Sequence, residues 1–334
     1  MKRLLAAILV LTFLTVAVGA GCSRGQQRPA EKTPAKFRVA LLVPGPVNDA
    51  GWNATAYLGV TGAQKDLGFD FQYTENVSRS DAEEVLRGYA NQGFNLIIAH
   101  GFEYGEAVLK VAKDFPKVWF VTTSSDKHFA APNAACTIAD YNQQGFLMGV
   151  MAALITKTKK VGSVGGEHMA SIEGQLTSFE KGVKYTDPSV EVVNVWTGSF
   201  SDVAKAKETA LAMIQGGCDV LTASADQASV GVIQACQSEG KFYLGLNSDQ
   251  NPAGPDVVVT SGVGDWSVVF KTLIKDAVEG KLEPRFYAMG VKEGAVYPAP
   301  YHGLDAKIPP EAKQKFEEVV QQMKDGKLDI YSIK

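Results

Sequence analysis

An indole flanked by an amide and a carboxylate stands early in the chain, in Asn48-Asp49-Ala50-Gly51-Trp52-Asn53, on a loop whose course is fixed by Pro44, Gly45 and Pro46. An aromatic face beside hydrogen-bonding groups suits a planar heterocycle, whose ring stacks while its edge is bonded. The same residues admit a plainer use, with Asp49 capping a helix and Trp52 packing inward. A second run of this kind is His100-Gly101-Phe102-Glu103-Tyr104, in which Phe102 adds a ring and His100 reads as a hydrogen-bonded structural residue. In Ser199-Phe200-Ser201-Asp202, Phe200 is placed to stack, and Ser201 or Asp202 to cap the next helix. Asp226, Asn247 and Asp249 each follow an apolar run, in Ser224-Ala225-Asp226-Gln227 and Leu246-Asn247-Ser248-Asp249-Gln250. Turn chemistry accounts for one polar side chain at such a place; ribose hydroxyls are natural partners for more. Gly264-Asp265-Trp266 repeats the pairing of carboxylate with indole.

Bond-making chemistry is not written in the same way. His100, His128, His168 and His302 are scattered without HxxxH or HExxH spacing, and there is no GxSxG elbow or GxxxxGK[ST] phosphate loop. The glycines between Gly162 and Gly166 do not make GxGxxG and read as a strand end. No metal site or cofactor is expected. Asp49, Asp226, Asp249 and Asp265 could serve a nucleoside hydrolase, but a polar cleft collects such carboxylates without catalysis. A net charge of −3 with mixed signs gives no electrostatic footprint for nucleic acid.

These residues need a frame. From Phe37 onward short β-rich runs alternate with helical patterns. Strands are expected over Phe37–Val43, Phe69–Thr74, Leu96–His100, Val118–Thr122 and Ala134–Ile138, with helices from Trp52, Asp81 and Tyr104 between them. Ser80 followed by Glu83 predicts a capping box at the second helix. A long apolar helix over Gln144–Ile155 opens a second series, with strands Lys160–Val164, Val190–Trp196, Val220–Ser224 and Phe242–Leu246 and helices from Ser171, Val203 and Ala228. The chain returns through strand Val257–Ser261, helix Trp266–Glu279, strand Arg285–Gly290 and helix Pro310–Lys324. Repeated strand–helix–strand units imply parallel sheets with right-handed crossovers. The expected fold is α/β, with two Rossmann-like lobes joined by crossing segments. Residues 37–140 form the first lobe, completed by about 263–290, and residues 141–262 the second, completed by about 291–330. Ligands bind beyond the carboxyl ends of strands in such sheets, where the residues above fall.

The N-terminus reads as an export signal over residues 1–21: Lys2 and Arg3, an apolar stretch from Leu4 to Val18, then Gly19, Ala20 and Gly21. Cys22 follows at once, as in the bacterial lipobox, where that thiol is acylated; Gly19 departs from the branched residue usual there. A plain secretory signal with an incidental Cys22 is the alternative. Residues 22–36, polar and proline-containing, suit a flexible tether. Together these predict a domain held by lipid on the extracytoplasmic side of a cell membrane. The other cysteines, Cys136, Cys218 and Cys236, have no metal-like spacing and read as small buried hydrophobes, with a Cys218–Cys236 disulfide as the alternative.

The order Asn48-Asp49-x-Gly51-Trp52-Asn53, Ile97-Ile98-Ala99-His100-Gly101-Phe102, Gly149-Val150-Met151-Ala152-Ala153-Leu154-Ile155, Gly198-Ser199-Phe200-Ser201-Asp202, Gly217-Cys218-Asp219-Val220 and Ser248-Asp249-Gln250 resembles the basic membrane lipoprotein family of ABC-transporter substrate-binding proteins. The resemblance spans nearly all of the chain after the tether. It implies a fold like type I periplasmic binding proteins and a small-molecule ligand, typically a purine nucleoside or base, passed to an ABC permease and its ATPase. By resemblance Trp52 and Phe200 match two stacking aromatics, Asp49 and Asn53 match polar positions beside the first, and Asp249 matches the carboxylate of Ser-Asp-Gln. Nucleoside-binding members often carry Asp where this chain has Asn247 and Lys where it has Gly264, and the acidic residue some use for the base falls at about Val43. The Asp265–Trp266 pair looks more like the branch that takes a free base such as adenine. A sugar or a flavin-like heterocycle is the alternative ligand. A repressor with the same lobes would carry a DNA-binding helix-turn-helix where this chain has its export signal.

Overall fold

The computed structural model describes residues 36–48, 52–123 and 131–333, so the expected leader, Cys22, the tether as far as residue 35 and Asp49 lie outside the described residues. Two six-stranded sheets organise the rest. The first is built from β1 (Arg38–Leu42), β2 (Asp70–Thr74), β3 (Leu96–Ala99), β4 (Trp119–Thr123) and β5 (Ala134–Ala139), with α1 (Trp52–Leu67), α2 (Ala82–Asn91) and α3 (Gly105–Ala112) between them. The second follows through α4 (Tyr141–Ile155), β6 (Lys160–Gly165), α5 (Ala170–Thr186), β7 (Glu191–Trp196), α6 (Val203–Gln215), β8 (Val220–Ser224), α7 (Ser229–Glu239), β9 (Phe242–Asn247) and β10 (Val258–Gly264). Helix α8 (Trp266–Val278) and β11 (Phe286–Met289) return to the first lobe, while β12 (Val296–Pro298) and α9 (Pro310–Lys324) return to the second.

The sheet orders are β11-β5-β4-β3-β1-β2, all parallel, and β12-β10-β9-β8-β6-β7, parallel except at β12. Register decides what emerges together. Leu42 pairs with Thr74 and Ala99, so the loops after β1 and β3 leave the first sheet side by side. Gly165 pairs with Trp196 and Ser224, which aligns the exits of β6, β7 and β8.

Each sheet is covered on both faces. One face of the first packs on Ala56, Val60, Phe270 and Leu273 of α1 and α8, the other on Leu86, Val108 and Val111 of α2 and α3. The second packs on Phe146, Phe179 and Phe316 of α4, α5 and α9, and on Ala206, Ala210, Val232 and Ile233 of α6 and α7. Helix α4 is apolar all round, which is tolerable only because neighbours cover every side. Its backbone meets that of α5 directly: side chains added at Gly145, Gly149 or Gly182 would run into the carbonyl oxygens of Gln175, Phe179 or Phe146. Among the described residues no helix is long and apolar enough to cross a membrane.

The chain crosses between lobes three times, at Asp140, at Asp265 and over 290–295, and the crossings are bonded to one another. Asp140 N–H donates to the Met289 carbonyl at 2.9 Å and Asp265 N–H to the Ala295 carbonyl at 2.7 Å. Asp140 caps α4 and Asp265 caps α8 through their side chains.

Two local expectations need correction. The Ser80–Glu83 capping box does not form: Asp81 precedes α2 with helical backbone, φ −91° and ψ −10°, and makes no side-chain cap bond. Ser80 lies in the turn before the helix, and Glu83 is drawn instead to Lys110 at 2.5 Å and Arg87 at 3.1 Å, which hold its carboxyl below the usual carboxylate range. The antiparallel edge strand β12 is absent from the expected pattern. Its three residues end on Pro298, with Pro300 close behind, and prolines point away from strand. Cys136, Cys218 and Cys236 are buried thiols with no disulfide among them, so the Cys218–Cys236 alternative is set aside. Burial pushes the Cys218 thiol up to about 11 and that of Cys236 up to about 12.

Candidate functional site

In the first lobe the paired exits of β1 and β3 bring Trp52 onto His100. The two rings stack at 3.9 Å between centroids and 25° between planes. His100 is fully buried and fixed on both nitrogens, with Nδ1 2.9 Å from Thr123 Oγ1 and Nε2 3.2 Å from the Trp52 carbonyl. Trp52 itself is half-buried. Trp266, 4% exposed, meets its edge at 5.4 Å and 88°. The indole of Trp52 is thus backed by an imidazole, wedged by a second indole, and held flat. Asn53 is buried beside it, its Oδ1 accepting from Gly45 N–H at 3.3 Å and so tying down the loop.

Not every expected residue stands at the front of this group. Trp266 belongs to the core against sheet one, behind Trp52 rather than open beside it. Asp265 spends one carboxylate oxygen on Ser267 N–H at 2.9 Å, Ser267 Oγ at 2.5 Å and Val268 N–H at 3.4 Å, so that oxygen serves the α8 cap. Phe102 lies on a single 3-10 turn over Phe102–Tyr104 with 56% of its surface exposed. Asn48 is exposed in the turn after β1, and Asp49 lies outside the described residues.

The second lobe presents Phe200 in the loop after β7. Its ring lies over Gly166, where a Cβ would fall 2.6 Å from Cε1, so only glycine lets it lie there. Ser199 Oγ accepts the N–H groups of Ser201 and Asp202 at 3.1 Å each, and Asp202 caps α6 by accepting from Lys205 N–H at 3.0 Å. The Phe200 carbonyl accepts Ala228 N–H at 3.0 Å, which binds this loop to the turn carrying Asp226. Asp226 is exposed with φ 44°. Asn247 ends β9 with φ 71°, and Asp249, two residues on, is exposed. Asp249 accepts from Asn251 N–H at 3.1 Å, and its other oxygen lies 2.8 Å from His302 Nε2.

Three participants escape sequence reading. His100 is legible as a structural residue but not as the plate behind Trp52. Gln144 and Gln175, both fully buried, join Asn247 in a network of amides beneath the end of β9. A glutamine flanking an apolar helical stretch was the available signal, and it reads equally well as a solvent-facing residue. Gly264, where a Cβ would fall 2.6 Å from Gln144 Nε2, completes this group, and a larger residue there would require Gln144 to give way. No cluster of metal-ligating side chains is found among the described residues.

The sequence profile described as "ABC transporter substrate-binding protein PnrA-like" matches residues 36–333. A purine-binding protein of Brucella abortus is 28% identical over 322 residues, covering 96% of this chain and 89% of that one. An ABC transporter nucleoside-binding protein of Lactococcus lactis is 33% identical, covering 84% of this chain and 86% of its own length. Among solved structures, an ABC transporter solute-binding protein of Conexibacter woesei superposes with a TM-score of 0.73 at 25% identity, over 88% of this chain and 98% of that one.

Proposed function

Since the chain belongs to the PnrA-like Bmp family of ABC transporter substrate-binding proteins, with the two-lobed fold of type I periplasmic binding proteins, we propose that it captures a purine nucleoside or nucleobase and delivers it unchanged to a permease and its ATPase. The observation that carries the reading is the Trp52 indole laid flat on a buried, doubly bonded His100, a preformed platform for one planar ring. Phe200, at the strand ends of the other lobe and seated on Gly166, is the second ring of the proposed sandwich. Asn53, Asp226, Asn247 and Asp249 supply polar groups around it, with Asn48 in the turn after β1 and Asp49 next to it in sequence. The names of the Brucella and Lactococcus relatives point to the same ligand class.

The test is calorimetric titration with adenine, adenosine, inosine and guanosine. Stacking of a base on an aromatic side chain contributes roughly 1–3 kcal/mol. Trp52→Ala and Phe200→Ala should each weaken binding of the preferred ligand by about that much. Affinity unmoved by either substitution overturns the sandwich. Chromatography of the nucleosides after incubation should return them intact; a free base among the products would make the protein a hydrolase.

The same proposal includes a lipid anchor on Cys22. Cys22→Ser should move the protein from the membrane fraction to the soluble one, read by detergent-phase partition, and a chain that stays with the membrane sinks this part of the reading.

A further inference from the structure

We propose that Gln175 is a positioning residue that turns the side-chain amide of Asn247 so that it offers the ligand a hydrogen-bond donor, and that the ligand group received there is a bare acceptor, a ring nitrogen or a carbonyl oxygen. The inference rests on the capture reading above. A main-chain N–H is a donor and nothing else. The Asn247 N–H lies 3.1 Å from the side-chain amide of Gln144, so the Gln144 atom facing it is Oε1. That oxygen lies 3.2 Å from the Gln175 amide, whose facing atom must then be Nε2. The same nitrogen lies 3.0 Å from the Asn247 side chain, whose facing atom must be Oδ1. Ser224 Oγ completes the set by donating to Gln175 Oε1 at 2.5 Å. The ring closes on the residue where it began: the backbone of Asn247 fixes, through two glutamines, the orientation of its own side chain.

Burial makes this setting firm. Gln144 and Gln175 are fully buried and Ser224 is 1% exposed, so bulk water does not compete for their groups. Gln175 Nε2 spends both hydrogens within the ring. Asn247 is the partly exposed member, at the carboxyl end of β9. With Oδ1 held by a buried partner, the outer end of its amide is Nδ2, carrying two N–H groups. The arrangement has a visible cost at Gln144, whose Nε2 is buried without a hydrogen-bond partner among the described residues. Turning Gln144 round would relieve that nitrogen only by setting it against the Asn247 N–H. An unsatisfied buried group retained in this way marks a place where orientation is kept at the expense of stability.

Two measurements test the proposal. The first needs no ligand: in the isotope-labelled protein moved into D2O, the Gln175 Nε2 hydrogens should persist while those of Asn247 Nδ2 exchange at once. The reverse order overturns the amide setting. The second is titration with adenine, hypoxanthine, adenosine and inosine. Asn247→Asp keeps the shape and the bond from Gln175 but faces the ligand with an oxygen, so probes that bind the wild type should bind about tenfold more weakly or worse. Binding as tight as wild type or tighter means the ligand presents a hydroxyl or another donor, and the acceptor assignment falls. Gln175→Met frees the Asn247 amide to turn either way, and the spread of affinities across the four probes should narrow. An unchanged spread with the fold intact removes Gln175 as the positioner. If no purine binds the wild type, the capture reading fails by itself, and the exchange order alone decides the amide setting.

Discussion

Replacing Gly149 by alanine is expected to destabilise the protein by about 3 kcal/mol or more, through over-packing that cannot relax by side-chain rotation. The added Cβ would overlap the carbonyl oxygen of Phe179 and stand 2.8 Å from its carbonyl carbon and 2.9 Å from Val183 N. All three obstacles are backbone, so α4 and α5 must move apart. At roughly 1.5–2 °C for each kcal/mol in a chain of this size, the melting temperature should fall by about 5 °C or more. Gly88→Ala in α2 is the control: nothing among the described residues lies within 4 Å of its would-be Cβ, and helix propensity favours alanine by about 1 kcal/mol. A Gly149→Ala protein melting within about 2 °C of the parent, on that scale, would show that the two helices do not bear on each other as described. The effect should reach the site as well. The same seam places Gly145 against the Gln175 carbonyl, so the contact that joins the helices also sets Gln144 and Gln175 at bonding distance. Ligand affinity should therefore drop with stability in Gly149→Ala.

Asp140→Ala is expected to cost about 2–4 kcal/mol, combining a lost helix cap with buried donors left unpaired. Asp140 is 3% exposed at the first crossing between lobes. It accepts the N–H groups of Asn142 at 3.1 Å and Gln143 at 3.2 Å, the Gln143 side-chain amide at 3.0 Å, and the Tyr331 hydroxyl at 2.8 Å. Tyr331 comes from the end of the chain, so this carboxylate pins the C-terminus to the crossing. Burial nevertheless pushes the Asp140 carboxyl above its ordinary value of 3.8. The sign follows from linkage. Between 3.8 and the raised folded value, the unfolded chain has released the proton that the folded chain still holds. The contribution of this group to stability therefore declines as pH rises through that window and is level on either side. Asp140→Asn keeps a capping oxygen and lacks the titration. Urea melts at acidic and neutral pH should show the parent losing ground to Asp140→Asn as pH rises, and a constant or opposite difference would refute the assignment.

Much of this architecture could be read before any coordinates. The helices Ala82–Asn91 and Pro310–Lys324 announce themselves because an apolar stripe of period 3.6 begins and ends near turn residues. Strand ends carrying Asp226, Asn247 and Asp249 are conspicuous because polar groups follow apolar runs. What stayed illegible is orientation. An Asp-Trp pair at 265–266 suggests a site, yet the carboxylate caps a helix and the indole turns inward, a choice made by the packing of α1 against α8. Gln175 is hidden for the opposite reason: a polar residue on a mixed helix looks like surface, and only its neighbours on α4, β8 and β9 reveal it as interior. The capping box failed because Glu83 had better partners on other turns and another helix, which local pattern does not record.

Cys136, Cys218 and Cys236 are sealed within the two lobes, and burial keeps the latter two protonated well above neutral pH. Maleimides attack thiolates that they can reach, so these sulfurs should stay silent to such reagents while the protein is folded. A fluorophore pair attached to one introduced cysteine on α2 and another on α6 would then report the separation of the lobes without any native sulfur being removed from those cores.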